Sequence, residues 1–276
     1  MVEGYILDVG CGNMAAIKFP NGKKILIDCN LTEENQGKVL SFLKGNGFDK
    51  FDVFINTHRD LDHLRGIEFV NARIPILEID DNGFSGETDA DDYQEYMKLR
   101  REKKSSIIKP RTYNSNFCPD VTIRYMNGVY DDVDYDINDT SVVIKIEYKG
   151  SSILFAGDTS FKPWKEKILP HYGKESQRIK SSLLVASHHG SKTFFDDPAD
   201  EKNWYTAHLK AISPDMTFIS VGENQWDLPD NSAVKLYEQY SHGSNKANKV
   251  FTTENKGHIK FELKDTGKWS VTPNGK

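Results

Sequence analysis

Residues 53–66 read VFINTHRDLDHLRG, and the rest of the chain can be placed by working outward from them. The apolar, partly β-branched run FDVFINT (51–57) has the pattern of a buried strand. It ends in a loop that carries His58, Asp60, Asp62 and His63 within six positions. In an extended stretch, residues two apart point the same way, so His58 and Asp60 can share one ion. Asp62 and His63 stand where the helical pattern LDHLRGIEFV begins, Asp62 near its N-cap, and can face a second ion. A strand followed by a sharp loop holds side chains rigidly, as a metal centre needs. Two divalent ions ~3.5–4 Å apart can clamp a phosphoryl or carbonyl group and turn water into a nucleophile near neutral pH.

Around this stretch the chain alternates apolar runs with turn signals. GYILDVG (4–10), AAIKF (15–19) and KKILIDC (23–29) read as strands, with PNGK (20–23) as a hairpin turn. TEENQGKVLSFLKGNG (32–47) has apolar residues at helical spacing and a glycine stop. IPILEID (74–80) is another strand. Residues 82–118 are polar and charged, with a helix expected at 90–104, and read as part of an insertion over the core spanning about 82–130. Further strands follow at 140–150, 151–158, 183–187 and 216–222, with helices near 161–170, 203–212 and 230–241. VFTTENKGHIKFEL (250–263) reads as a terminal hairpin. Strands in two batches, each followed by helices, predict two facing sheets with helices outside. The whole chain, 1–276, is expected to be one domain.

Composition narrows the function classes. No apolar run approaches the ~20 residues of a membrane span. The start, MVEGYILDVG, is acidic and enters a strand at once, unlike a signal peptide. Cys11, Cys29 and Cys118 are widely spaced without a CxxC, which predicts a reducing compartment, the cytoplasm, rather than a disulfide framework. A net charge of −5 disfavours a nucleic-acid binder that relies on a basic surface. The charge is blocked along the chain. An acidic run over 78–95 is followed by a basic run from Lys98 to Arg111, and DDVDYDIND (131–139) is acidic again. Such blocks are usually solvated faces. The functional alternative is a positive lip that meets an anionic substrate.

Three more segments carry metal-ligand chemistry. SSILFAGDTS ends a strand in Gly157-Asp158, where a carboxylate can bridge two ions. LLVASHHGSK ends one in His188-His189-Gly190-Ser191, and LIDCN puts Asp28 at a strand end, where it can brace the metal loop through hydrogen bonds. Each is weak alone; in the order HxDxDH, GD, HH, each after an apolar run, they predict a metal hydrolase. Ser191 and Lys192 are candidates to contact an anionic substrate, and Trp226 to stack on a base or ring. His171, His208, His242 and His258 lie outside the motifs and read as ordinary histidines.

These stretches resemble the metallo-β-lactamase superfamily, in the branch with the C-terminal domain of the competence protein ComEC and the pneumococcal-type phosphorylcholine esterase. The matching segments are LDVGCGN (7–13), ILIDCN (25–30), INTHRDLDHLRGIE (55–68), NDTSVVIKI (138–146), ILFAGD (153–158), SHHGS (187–191), ISVGEN (219–224) and TTENKGHIKF. The resemblance implies an αββα sandwich of two mixed sheets with the metals at one edge. It implies His58 and Asp60 for a first ion, Asp62, His63 and one histidine of the HH pair for a second, and Asp158 as the bridge; His189 is the expected ligand of the pair, since adjacent residues cannot easily both face one ion. His188 and Asp62 are the residues expected to act in catalysis, His188 as a substrate or leaving-group contact.

Three positions depart from the family pattern. Asp60 replaces a histidine. No histidine lies between His63 and His171, where Asn138 or Asp139 occupies the usual neighbourhood as a ligand or a brace. Leu228-Pro229 stands where the branch has histidine-proline. The first site is therefore rich in oxygen, which predicts one or two divalent ions with Mn²⁺ favoured over Zn²⁺ and Mg²⁺ as an alternative. The expected activity is phosphodiester hydrolysis, with nucleic acid as a candidate substrate. The alternatives are a lactonase-type hydrolase of the same fold, or a degenerate effector module recruited by protein partners, for instance in phage defence.

Overall fold

The computed structural model describes residues 1–83, 88–127, 136–173, 175–196, 204–243 and 249–273. The first half supplies β1 (Val2–Ile6), β2 (Ala15–Lys18), β3 (Lys24–Ile27), β4 (Cys29–Asn30), β5 (Phe51–Asn56), β6 (Leu64–Arg65), β7 (Ile76–Asp81) and β8 (Lys104–Ile107). Then come β9 (Thr112–Asn114), β10 (Val121–Tyr125), β11 (Ile144–Tyr148), β12 (Ser151–Phe155), β13 (Leu183–Val185), β14 (Met216–Ile219) and β15 (Val250–Thr252), and finally β16 (Ile259–Leu263) and β17 (Trp269–Pro273). One sheet runs β17-β16-β1-β2-β3-β5-β7-β8 and the other β15-β14-β13-β12-β11-β10-β9. Pairing is antiparallel from β17 to β3 and parallel from β3 to β8. The second sheet is parallel from β15 to β12 and antiparallel from β12 to β9.

Alternation along the strands decides which side chains face inward. Ile17, Ile25, Ile27, Val53 and Ile55 of the first sheet meet Ile123, Ile144, Ile146, Phe155 and Phe218 of the second in one dry core. The outer face of the first sheet is covered by helices α1 (Gln36–Gly45), α2 (Ile67–Asn71) and α3 (Asp91–Glu102). In α1 the buried Val39, Leu40 and Leu43 fall on one face, and each such side chain contributes roughly 1.5–3 kcal/mol. The second sheet's outer face is covered by α4 (Phe161–Pro163), running through a π-helical turn into α5 (Leu169–Tyr172), and by α6 (Ala207–Ile212) and α7 (Asn231–Tyr240). The result is the expected αββα sandwich.

Two expectations are corrected. The stretch after His58 does not enter a helix at Asp62: Leu61–His63 form a 3-10 turn with Asp60 at its N-cap, β6 follows, and α2 begins only at Ile67. Gly66, left-handed at φ 71, makes that late start. Residues 250–263 are not a hairpin. β15 pairs with β14, α8 (Thr253–Lys256) starts on a Thr252 side-chain cap, and β16 then pairs with β1 in the other sheet. The terminal hairpin is β16–β17. Among the described residues between 82 and 130, α3 packs on the first sheet, β8 extends that sheet, and β9 and β10 close the second. Most of the acidic run 131–139 lies outside the described residues.

Behind the second sheet, His208 on α6 is fully buried among Trp164, Phe194, Phe195 and Tyr205, and neither ring nitrogen makes a hydrogen bond of ordinary geometry. Burial pushes its pKa down to about 3, with the Phe194 backbone offsetting this in part. The folded ring therefore stays neutral where the unfolded one takes up a proton. Its contribution to stability is full above about pH 6.5 and is lost as the pH falls from there toward 3. His208→Phe is expected to reduce the loss between pH 6.5 and 5 by about 2 kcal/mol, read from urea midpoints. An unchanged acid limb would refute this.

Candidate metal centre

The chemistry-bearing loops all leave the carboxyl ends of parallel strands, where open sheets place their ligands. Asp28 follows β3, residues 57–63 follow β5, Asp158 follows β12 and His188-His189 follow β13. The two halves of the chain thus meet at one edge of the sandwich. There, one donor atom from each of Asp62, His63, Asp158 and His189 lies within 4.8 Å of all the others. His63, Asp158 and His189 are buried, and Asp62 is partly exposed.

Each imidazole is oriented by its far nitrogen. His63 Nδ1 donates to Asp28 Oδ2 at 2.7 Å, while Asp28 accepts from the backbone N–H and hydroxyl of Thr57 at 2.7 and 2.8 Å. His189 Nδ1 donates to the Ser220 carbonyl at 2.9 Å. Both Nε2 atoms are thereby turned into the cluster, the arrangement that fixes the tautomer of a metal-ligating histidine. Asp28 is the brace the sequence predicts, and it sits in left-handed backbone (φ 54). His188 and His189 are left-handed too, at φ 49 and 52, which costs about 1–3 kcal/mol each. That turn is held by Ser191 N–H to the His188 carbonyl (2.8 Å) and Asp230 N–H to the Gly190 carbonyl (3.0 Å). Gly157 must be glycine, since a Cβ there would lie 2.7 Å from Ser141 Cβ.

The remaining predicted residues fall around this core. His58 is buried with its ring centroid 4.1 Å from that of His63, its Nδ1 3.2 Å from Thr57 Oγ1 and its Nε2 without a hydrogen bond. Its Nε2 lies 3.7 Å from Asp60 Oδ2, and the Asp60 side chain is 39% exposed. His58 and Asp60 do face each other, as a pair beside the four-residue cluster. His188 is half-buried, with Nε2 3.9 Å from Asp158 Oδ2. Asn138 Oδ1 is buried without a hydrogen-bond partner among the described residues. Asp139 accepts the Ser160 backbone N–H at 2.7 Å and so braces the loop after Asp158 rather than joining the cluster. Sequence reasoning missed two residues. Asn13 donates to Asp158 Oδ1 at 3.2 Å, and Thr57 ties Asp28 to both His58 and His63. Both lie inside quoted motifs, LDVGCGN and INTHRDLDH.

Asp60, Asp62, His188 and His189 line a cleft of about 1450 Å³. Ser191, Lys192 and Trp226 line it as well, and Trp226 is 65% exposed. The basic run 98–111 does not form a lip here. Lys98 pairs with Glu68 at 3.5 Å, Lys104 with Glu78 at 2.8 Å, and Arg100 with Asp81, all on the first sheet's side. The cations that line the cleft are Lys38, Arg65 and Lys192. Cys11 lines it too, and burial, reinforced by Asp62 and Asp158, pushes its thiol up to about 12, which suits a neutral side chain rather than a nucleophile.

Charge explains the cluster's chemistry. Burial alone would raise the carboxyls of Asp158 and Asp62, but the His63 imidazole, with His189, holds both below the usual range. Conversely, burial would lower the histidines, but Asp158 first, then Asp28 and Asp62, push His63 well up, and Asp158 and Asp62 raise His189. The carboxylates of Asp158 and Asp62 thus favour the protonated form of both imidazoles. A divalent cation would satisfy the same carboxylates and take the Nε2 lone pairs instead. The buried Nε2 of His58, without a hydrogen bond among the described residues, the buried Nε2 of His63 facing Asp158 Oδ2 at 3.2 Å, and the mixed nitrogen–oxygen donor set fit such an ion.

An αββα sandwich with a histidine–aspartate cluster where its two sheets meet at strand ends is the metallo-β-lactamase fold, and this chain has it. No protein-family model matches the chain, and no curated protein matches it in sequence. Among solved structures, the metallo-β-lactamase-fold protein YhfI from Bacillus subtilis superposes at a TM-score of 0.53 and 13% identity, over 93% of this chain and 98% of that one. A diphosphatase of the PhnP family gives 0.52 at 12% identity, over 96% and 98%. CmlA, a diiron β-hydroxylase from Streptomyces venezuelae, gives 0.55 at 13% identity over 92% of this chain, which spans only 52% of CmlA. At such identities the likeness is one of fold. Among the described residues, no helix is long and apolar enough to cross a membrane.

Proposed function

We propose that this protein is a metal-dependent phosphodiesterase, with nucleic acid strands in its substrate range. The observation that carries this reading is the convergence of Asp62, His63, Asp158 and His189 within 4.8 Å, with both histidines oriented from behind. A divalent ion held there supplies Lewis acidity and activates the nucleophile. His63, His189, Asp62 and Asp158 would hold it, and His58 with Asp60 would offer a second position. His188 gives a proton to the leaving oxygen, a role supported by its position at the cleft wall, 3.9 Å from Asp158 Oδ2. Lys192 and Ser191 bind phosphoryl oxygens, and the exposed face of Trp226 takes a stacked base. That one fold neighbour is a diphosphatase accords with a phosphate-ester substrate. Metal-loaded protein is expected to cleave at least one of single-stranded DNA, double-stranded DNA, RNA or a cyclic dinucleotide. Absence of turnover with Mn²⁺, Mg²⁺ and Zn²⁺ alike would overturn the reading.

The metal preference follows from Asp60. Its exposed carboxylate beside His58 makes the second position poor in nitrogen, which favours Mn²⁺ over Zn²⁺ there. Asp60→His is expected to raise bound Zn²⁺ from about one ion per chain toward two, measured by elemental mass spectrometry. Two tightly held Zn²⁺ ions in the unmodified protein, with no stimulation by Mn²⁺, would contradict it.

A further inference from the structure

The crossover from β15 to β16 ends at Gly257-His258, and both residues line the cleft. His258 Nδ1 accepts the backbone N–H of Asp8 at 2.9 Å. A ring nitrogen that accepts carries no proton, so a neutral ring holds its proton on Nε2. The tautomer is set by the backbone, and the ring plane is set by packing on Phe42, with centroids 4.1 Å apart. Among the described residues nothing pairs with Nε2, and unlike Nε2 of His58 or His63 it is not sealed from solvent. Burial also lowers the pKa of His258, so the neutral donor form persists. A fixed N–H that opens on a cleft bonds to water until a ligand oxygen replaces it.

We infer that His258 is a substrate-positioning residue whose Nε2–H donates to an oxygen on the part of the phosphodiester that does not react. This rests on the phosphodiesterase reading. Two substitutions separate the two ends of the ring. His258→Asn keeps an acceptor for the Asp8 N–H and removes the distal donor. His258→Gln can restore the distal N–H and gives up the acceptor.

The substrates are the p-nitrophenyl ester of thymidine 5′-monophosphate and methyl p-nitrophenyl phosphate, which has almost nothing beyond the scissile phosphate. For the thymidine ester, His258→Asn is expected to raise KM roughly 3- to 10-fold with kcat unchanged. His258→Gln should stay nearer wild type, and the methyl ester should show no KM change in either variant. His258→Asn matching wild type, with His258→Gln losing kcat and thermal stability, would make His258 a brace for the Asp8 loop and overturn the inference. A second readout does not need turnover. The Nε2–H resonance of His258 in metal-loaded protein should shift on adding thymidine 5′-monophosphate. A shift without turnover refutes the phosphodiesterase reading alone. Turnover with no shift and no KM change refutes the positioning role alone.

Discussion

Asp158→Ala is expected to leave the protein unable to retain a divalent ion and to lower phosphodiester turnover by more than ~100-fold, beyond the 10–100-fold usual for outer partners of a metal ligand. The reason is its place among the imidazoles. Its Oδ2 lies 3.2 Å from His63 Nε2, 3.5 Å from His189 Nε2 and 3.9 Å from His188 Nε2, and Asn13 holds Oδ1 at 3.2 Å. It is the carboxylate common to all three histidines, so its loss removes both charge and geometry. Asp28→Asn keeps the shape but gives up one carboxylate acceptor, so it weakens the hold on His63 Nδ1 and on Thr57 while leaving the cluster's own donors in place, and should fall within the smaller range. Ion content by elemental mass spectrometry and turnover on a nitrophenyl diester check both. Activity that survives Asp158→Ala would mean the chemistry lies elsewhere.

The second large effect is a reversal of the pH dependence of stability on adding an ion. Without one, His63 and His189 are raised above their ordinary pKa by Asp158 and its neighbours. Raised groups contribute stability that is full below about pH 6.5 and is lost as the pH climbs through their folded values. The ion-free protein should therefore weaken as the medium becomes alkaline. A bound ion requires both imidazoles unprotonated, so its affinity rises over the same range, by up to a factor of ~10 per pH unit for each proton displaced. The gain in melting temperature from Mn²⁺ should be small at pH 5.5 and grow steadily to pH 8. A gain that does not change with pH would show that protons and the ion do not compete for these nitrogens.

Much of this was legible in the chain because ligand loops at strand ends follow local rules. An apolar run fixes the strand, and the polar residues that break it fix the loop, so His58, Asp62, His63, Asp158 and His189 could be placed by counting. What could not be counted is what lies across from a residue. Nothing local says that Asn13 reaches Asp158 or that the Asp8 backbone holds His258, because those partners are far apart in sequence. The basic run 98–111 looked free because its acids, Glu68, Glu78 and Asp81, belong to other elements. The hairpin misread at 250–263 has the same origin. Two alternating apolar strands around a short polar link look alike whether they pair with each other or part for different sheets.

That parting has a bearing on how the molecule is made. β1 lies between β2 and β16, with Val2 opposite Leu263 and Ile6 opposite Ile259. As the chain leaves the ribosome, one flank of β1 stays bare until β16, more than 250 residues later, emerges. An unpaired strand edge is a template for wrong partners. A ribosome stalled before residue 259, or a protease nick in the 253–257 link, would release a chain that lacks β16 and has an open flank beside Tyr5 and Ile6. Such chains should be recovered with chaperones or in aggregates even though Asp62, His63, Asp158 and His189 are all present, so β16 guards the solubility of β1.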